Sequence, residues 1–268
     1  MKRTTYVLIG LFIAGLIVLA GGIFVMFFTG KPYGSNEILF GGEQVTKEFP
    51  TCRVIWLTQS VLEKEEYAVW MASSCLEVLP SEGKKNVFSC PKEVNDYLTM
   101  KVIGDTLKIT FDYPMDKLSE KIEEQKYVYM IIGEWQMQLP SDVETIVSDI
   151  RNQKLVLKNL SQDSLSIGVS GSAAVEDCDF KALNVLRCAH LLNLQSGNIR
   201  DLYLYLDHID GWSVDPKTCH IDTEYLTAGY NAEVQLEKGE CKRMFWTPTK
   251  EDAKLHVTLH ERSCITME

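Results

Sequence analysis

The amino-acid sequence predicts an all-β fold: a β-solenoid preceded by one N-terminal transmembrane helix. Three observations predict it. An uncharged apolar run lies near the N-terminus, strand-like alternations fill the body, and Leu-x-Leu-type segments recur at a period of about 19 residues in the second half. The alternative is an antiparallel β-sandwich with hairpins about ten residues apart.

The apolar run, Tyr6 to Phe28, is 23 residues long. As a helix it would cross the roughly 30 Å of a bilayer's hydrocarbon core. Lys2 and Arg3 precede it, and basic residues stay on the cytoplasmic side. The expected product is a single-pass membrane protein with a cytoplasmic N-terminus and a periplasmic or cell-surface body from about Lys31 onward. A cleaved signal peptide, with Val18 and Ala20 in a Val-x-Ala arrangement, is the rival, but Ile23 to Phe28 stay apolar past that point. The membrane is therefore the first expected partner. Gly10, Gly15, Gly21 and Gly22 could also let the helix meet another membrane protein, without forming a clean Gly-x-x-x-Gly face.

The chain carries 27 basic and 37 acidic residues. Without Lys2 and Arg3 the body holds 25 against 37, a net −12, which excludes nucleic acid as a partner. Eight cysteines, at 52, 75, 90, 178, 188, 219, 241 and 264, show no spacing that selects a pairing. Disulfides and buried free thiols both stay open.

The expected organisation is an anchor at 1–29, a tether at 30–42, an N-terminal β region at 43–140 packed on the solenoid, repeats at 141–238, and a capping hairpin at 239–268. Strands are expected at Arg53 to Leu57, Tyr97 to Val102, Thr106 to Phe111 and Tyr127 to Ile132, with a hairpin turn at Gly104-Asp105. Val61 to Leu79 mixes helical and strand patterns. Met115, Leu118 and Ile122 lie at helical spacing and predict a short surface helix over Met115 to Lys126. Then come Lys154 to Leu157, Ser164 to Ile167, Ala182 to Val185 and Asp201 to Leu204, the last three starting 18 or 19 residues apart. Turn chemistry separates them at Ser170-Gly171-Ser172, Ser196-Gly197-Asn198 and Asp210-Gly211. A second apolar phase, Val175, Leu192 with Leu194, and Trp212 with Val214, repeats beside the first.

These segments resemble the GIN-domain (DUF2807) family of exported Bacteroidetes head domains, labelled "putative autotransporter adhesin". The resemblance rests on strands at Val45 to Phe49 and Arg53 to Leu57, on Gly-Asp-Thr-Leu-Lys-Ile at Gly104 to Ile109, on a strand ending in Leu-Pro at Met137 to Pro140, and on the Ser-Gly-Ser turn at Ser170 to Ser172. It covers roughly residues 40 to 230. It implies a right-handed parallel β-helix-like solenoid with strands packed at its front, an adhesin-like role and no reaction. The later coils depart from the family by carrying Tyr203, Tyr205, His208 and Trp212 in place of regular Ser-Gly turns.

Candidate chemistry is sparse. His256 and His260 alternate with Leu255, Val257 and Leu259, so they read as the polar face of a strand, and no Glu lies between them as a zincin requires. Cys188 with His190, Cys219 with His220, and His260 with Cys264 lack CxxC spacing. Glu176-Asp177-Cys178-Asp179 reads as a solvated turn rather than a calcium corner. Ser170 lacks the Gly-x-Ser-x-Gly elbow, and Gly41-Gly42 has no Gly-Lys-Ser/Thr after it. No cofactor or metal is implied, and the chain is expected not to be an enzyme. If Leu202, Leu204 and Leu206 point inward, Tyr203, Tyr205 and Asp207 point outward as a contact patch for a glycan or a protein. The competing reading of these tyrosines is lateral stacking on neighbouring strands. The competing function is a carbohydrate-active enzyme, a polysaccharide lyase or hydrolase, with Asp201, Asp207, His208 and Asp210 as its candidate acids and bases.

Overall fold

The structure, a computed structural model, describes residues 12–24, 37–60, 68–70, 74–112, 127–236 and 240–259. The chain divides into two units, Met1–Asn36 and Glu37–Glu268. In the first, the described residues 12–24 are helical, α1. No helix among the described residues is long and apolar enough to cross a membrane. This corrects the expected single-pass anchoring and membrane partner: hydropathy reports the transfer preference of side chains, whereas spanning needs an unbroken helix of sufficient length. The remainder of the Tyr6 to Phe28 run lies outside the described residues.

The second unit is nearly all strand. Its first half contains β1 (Glu37–Phe40), β2 (Gln44–Phe49), β3 (Val54–Gln59), β4 (Ala68–Trp70), β5 (Cys75–Pro80) and β6 (Asn86–Pro91). A single helical turn, α2 (Lys92–Asn95), leads to β7 (Leu98–Ile103), β8 (Thr106–Phe111), β9 (Tyr127–Ile132) and β10 (Glu134–Leu139). The second half contains β11 (Thr145–Ser148), β12 (Lys154–Lys158), β13 (Ser161–Val169), β14 (Ser172–Glu176), β15 (Cys178–Leu194) and β16 (Gly197–Tyr205). After a 3-10 turn at Leu206–His208 follow β17 (Ile209–Val214), β18 (Cys219–Ala228), β19 (Ala232–Leu236), β20 (Cys241–Pro248) and β21 (Leu255–Leu259). The start of the expected tether, residues 30–36, and the helix expected over Met115 to Lys126 lie outside the described residues. The tether's last part is β1, which pairs with β9.

Alternation dictates what each strand buries, because successive side chains point to opposite faces. In β8 the burial follows Leu107, Ile109 and Phe111, and in β16 it follows Ile199, Leu202 and Leu204. Parallel pairing then places equivalent residues of neighbouring strands in columns. One inward column runs Leu107, Ile55, Ile146, Ile167, Val185, Leu204 and Leu226 across seven strands. Another runs Met137, Val78, Leu157, Val175, Leu194 and Val214. β15 joins the two rows: its first half pairs with β13 and β16, its second half with β14 and β17.

The expected architecture is nonetheless corrected. Sixteen strands form one mixed sheet, in which β6 runs antiparallel to both β2 and β10, and β7 antiparallel to β8. Early strands pair across long sequence gaps, β3 with β11 and β5 with β12. A right-handed parallel β-helix-like solenoid is therefore not what forms, and the prevalence of parallel ladders is equally unlike an antiparallel sandwich. The reason is that periodic alternation sets which residues share a column, but not the direction or sequence distance of the strand beside it. The Gly104-Asp105 turn does close the β7–β8 hairpin, with Gly104 at φ +58.

Of two glycines expected at turns, Gly197 opens β16, whereas Gly211 lies within β17 opposite Leu191 rather than in a turn, and their surroundings differ sharply. Gly197 has φ +118, and a Cβ there would lie 2.0 Å from the Cys178 carbonyl oxygen, whereas one on Gly211 would meet nothing within 4 Å. Gly197→Ala should cost at least about 2 kcal/mol in urea unfolding, and Gly211→Ala should stay within about 0.5 kcal/mol. Equal midpoints for the two variants would refute the close backbone approach at Gly197.

Candidate functional site

Parallel strands stand about 4.8 Å apart, close to the separation at which aromatic rings stack. An outward column exploits this. It passes through Ser166 and Asn184 and then becomes aromatic: Tyr203 in β16, Tyr225 in β18 and Phe245 in β20. The Tyr203 and Tyr225 rings are stacked with centroids 4.5 Å apart at 8°. Tyr225 and Phe245 follow at 5.4 Å and 15°. Phe245, at the end of the stack, is 48% exposed.

Polar groups line the margin. The Arg200 Nε–H donates to Asp201 Oδ2 at 2.8 Å, and the Arg243 guanidinium donates to Thr223 Oγ1 at 3.0 Å. Lys242 pairs with Asp222 at 2.5 Å, holding that carboxylate below its ordinary range through a hydrogen bond. Burial, and then the Asp201 charge, push the Tyr203 phenol up. Tyr205 stands two residues along the strand and is 41% exposed.

Of the three residues expected to form the patch, the structure thus stacks Tyr203, leaves Tyr205 open and gives Asp207 a different task. Asp207 Oδ2 accepts the Gly229 N–H at 2.7 Å and so fastens the turn after β18. Leu202 and Leu204 are fully buried as expected, whereas Leu206 begins the 3-10 turn and is only partly buried. Sequence reasoning missed Tyr225 and Phe245. Their recurrence at 22 and then 20 residues after Tyr203, close to the apolar period, was the available clue. Another outward aromatic, Trp56, is already engaged: its Nε1–H donates to Asp149 Oδ2 at 2.7 Å and the Lys108 ammonium sits 4.3 Å over its ring.

The residues proposed for catalysis do not converge. Asp201 is tied to Arg200 and Asp207 to the Gly229 amide, while His208 and Asp210 are exposed. Two open grooves of about 370 and 420 Å³ are lined by none of the four. The second holds Asp163 and Asp179 with Lys181, whose ammonium pairs with Asp163 at 2.6 Å. Asp177 adopts a left-handed turn, φ +52, with its N–H bonded to Ser196 Oγ at 2.8 Å. Ser170 is a corner residue whose N–H bonds the Ser148 carbonyl.

Cys188 is buried, and His190 instead bonds the Asn152 side chain at 2.9 Å. Cys219 is buried while His220 is exposed, and His256 is an exposed residue of β21; His260 and Cys264 lie outside the described residues. Among the described residues no His, Cys, Asp and Glu side chains are grouped to hold a metal ion. The described cysteines are free thiols. Burial pushes Cys178 and Cys219 up to about 11, which disfavours the nucleophilic thiolate.

Fold and site together define an all-β protein with an open aromatic sheet face. No family model matches the chain, and no curated protein does. Among solved structures it is similar to a "putative adhesin" from Bacteroides fragilis, 12% identical with a TM-score of 0.48, over 83% of this chain and 97% of that one. A "putative lipid binding protein" from Parabacteroides distasonis is 13% identical with a TM-score of 0.40, over 83% and 96%. A "putative adhesin" from Parabacteroides merdae is 10% identical with a TM-score of 0.33, over 84% and 98%. None of these three names is that of the GIN-domain family. At such identities and TM-scores the likeness does not carry function across.

Removing the middle ring tests the stack. Tyr225→Ala should lower stability by about 1–3 kcal/mol in chemical denaturation, more than Tyr205→Ala, which loses no stacking partner. Equal losses would show that the column contributes no stacking.

Proposed function

We propose that the chain is a non-catalytic, adhesin-type binding module whose ligand, a glycan or a protein, lies across Tyr203, Tyr205 and Tyr225 and ends on Phe245. The observation that supports this reading is the continuous aromatic column, half exposed at its last ring and edged by Arg200, Asp201 and Arg243. Aromatic side chains offer a large, rigid contact area at low entropic cost, and polar neighbours orient what rests on them. An open face suits a polymer or a protein surface. It does not enclose a reacting bond away from water, which supports binding over turnover.

A glycan array probed with the full chain tests the proposal. Binding without product release is expected, with at least about tenfold loss in Phe245→Ala, the scale of one aromatic contact. Cleavage of any polymer would overturn the non-catalytic reading, and undiminished binding by Phe245→Ala would overturn the site.

A further inference from the structure

One inward column of the parallel row begins on a polar side chain. Phe180 in β15, Ile199 in β16 and Ile221 in β18 lie in register and are buried, but the residue opposite Phe180 in β13 is Gln162. Gln162 is 8% exposed, and its Oε1 has no hydrogen-bond partner among the described residues. A buried amide oxygen left unpaired costs free energy that a leucine at the same position would not. Packing of the column therefore gives no reason for a glutamine there.

The grooves beside it do give one. Gln162 lines both the groove of about 370 Å³ and that of about 420 Å³, and Ser141 and Ser161 line both with it, so the two meet at a polar point. Either volume falls within the roughly 300–1,000 Å³ of small-molecule sites. Pro80, Leu139, Pro140 and Leu160 give the first groove an apolar wall. In the second, Lys181 and Asp163 already neutralise each other at 2.6 Å, and Asp179 is exposed. Together the grooves hold two cations, Lys84 and Lys181, against three anions, Asp142, Asp163 and Asp179, a net −1. So small and so mixed a charge selects neither a polyanion nor a divalent cation.

We infer that the joined grooves are a binding site separate from the aromatic face, which takes one neutral sugar unit whose hydroxyl donates to Gln162 Oε1. A pyranose combines what this lining lacks. Its hydroxyl hydrogens suit an amide oxygen and a carboxylate, its hydroxyl oxygens accept from an ammonium or a serine, and its C–H surface packs on proline and leucine. Asp179 offers a second acceptor at the rim. The site shares no residue with Tyr203, Tyr205, Tyr225 or Phe245, and it stands whether or not those rings bind a ligand.

Titration of the full chain with methyl glucoside, methyl galactoside, methyl mannoside and N-acetylglucosamine, each followed through backbone amide chemical shifts, tests the site. At least one sugar should bind and shift the Gln162 and Asp179 amides. Gln162→Leu, which completes the apolar column, should keep the native unfolding midpoint or raise it, and should weaken that sugar's affinity at least about tenfold. Asp179→Ala changes an exposed side chain, should weaken binding about threefold or more, and serves where the leucine variant folds poorly. Binding of none of the four sugars, or unchanged affinity in either variant that folds, would overturn the site. Shifts confined to Tyr225 and Phe245 would also overturn it, by assigning the sugar to the aromatic face.

Discussion

Parallel hydrogen-bonded registry is the constraint on which this structure rests. Once β3, β11, β13, β15, β16 and β18 pair in phase, each inward position is shared by side chains stacked at the interstrand spacing, and a column must be of one chemical kind to pack. The series from Leu107 to Leu226 satisfies this with branched aliphatic side chains that leave no exposed surface. The turns are subordinate to the same requirement. Gly171 and Gly197 sit where a Cβ would strike the backbone of Gln153 and Cys178, so their absence of side chain is what lets the next strand fall into register.

The outward face obeys the same rule with a different result. Side chains there need not be apolar, and the early rungs are Ser166 and Asn184, yet the last rungs are aromatic. A stacked aromatic pair is worth about 0.5–1.5 kcal/mol beyond its burial, which is small beside the core. Glu224 breaks the inward rule in the opposite sense. Burial, then the neighbouring Glu240 charge, raises its carboxyl to about 8, because the apolar column disfavours the charged form.

Much of the local structure was legible in the sequence. Thr106 to Phe111 and Tyr127 to Ile132 are strands with those bounds, because β-branched and aromatic runs at period two have no competing helical solution there. The two apolar phases, including Val175, Leu194 and Val214, do lie in common columns. The antiparallel strands β2, β6 and β7 were not legible as such: a strand's pattern states which face is buried but nothing of the partner's direction. Likewise Tyr203 read as an outward tyrosine, while Tyr225 and Phe245 lie 22 and 42 residues further along the chain and join its stack only through register. The apolar N-terminal run misled for another reason: hydropathy reports a side-chain transfer preference, whereas no helix among the described residues is long and apolar enough to cross a membrane.

By itself the sequence determined the buried faces of the strands, the Gly104-Asp105 turn and the acidic balance that disfavours nucleic acid, because these depend on local side-chain chemistry and on the period of the backbone. Only the tertiary structure decided that the sheet is mixed, that three aromatic rings form one stack, that Asp207 serves a turn, and that Glu224 lies opposite Leu202 and beside Glu240. Those outcomes depend on which strands pair and in what register, and pairing is chosen by the packing of the whole core rather than by any one segment.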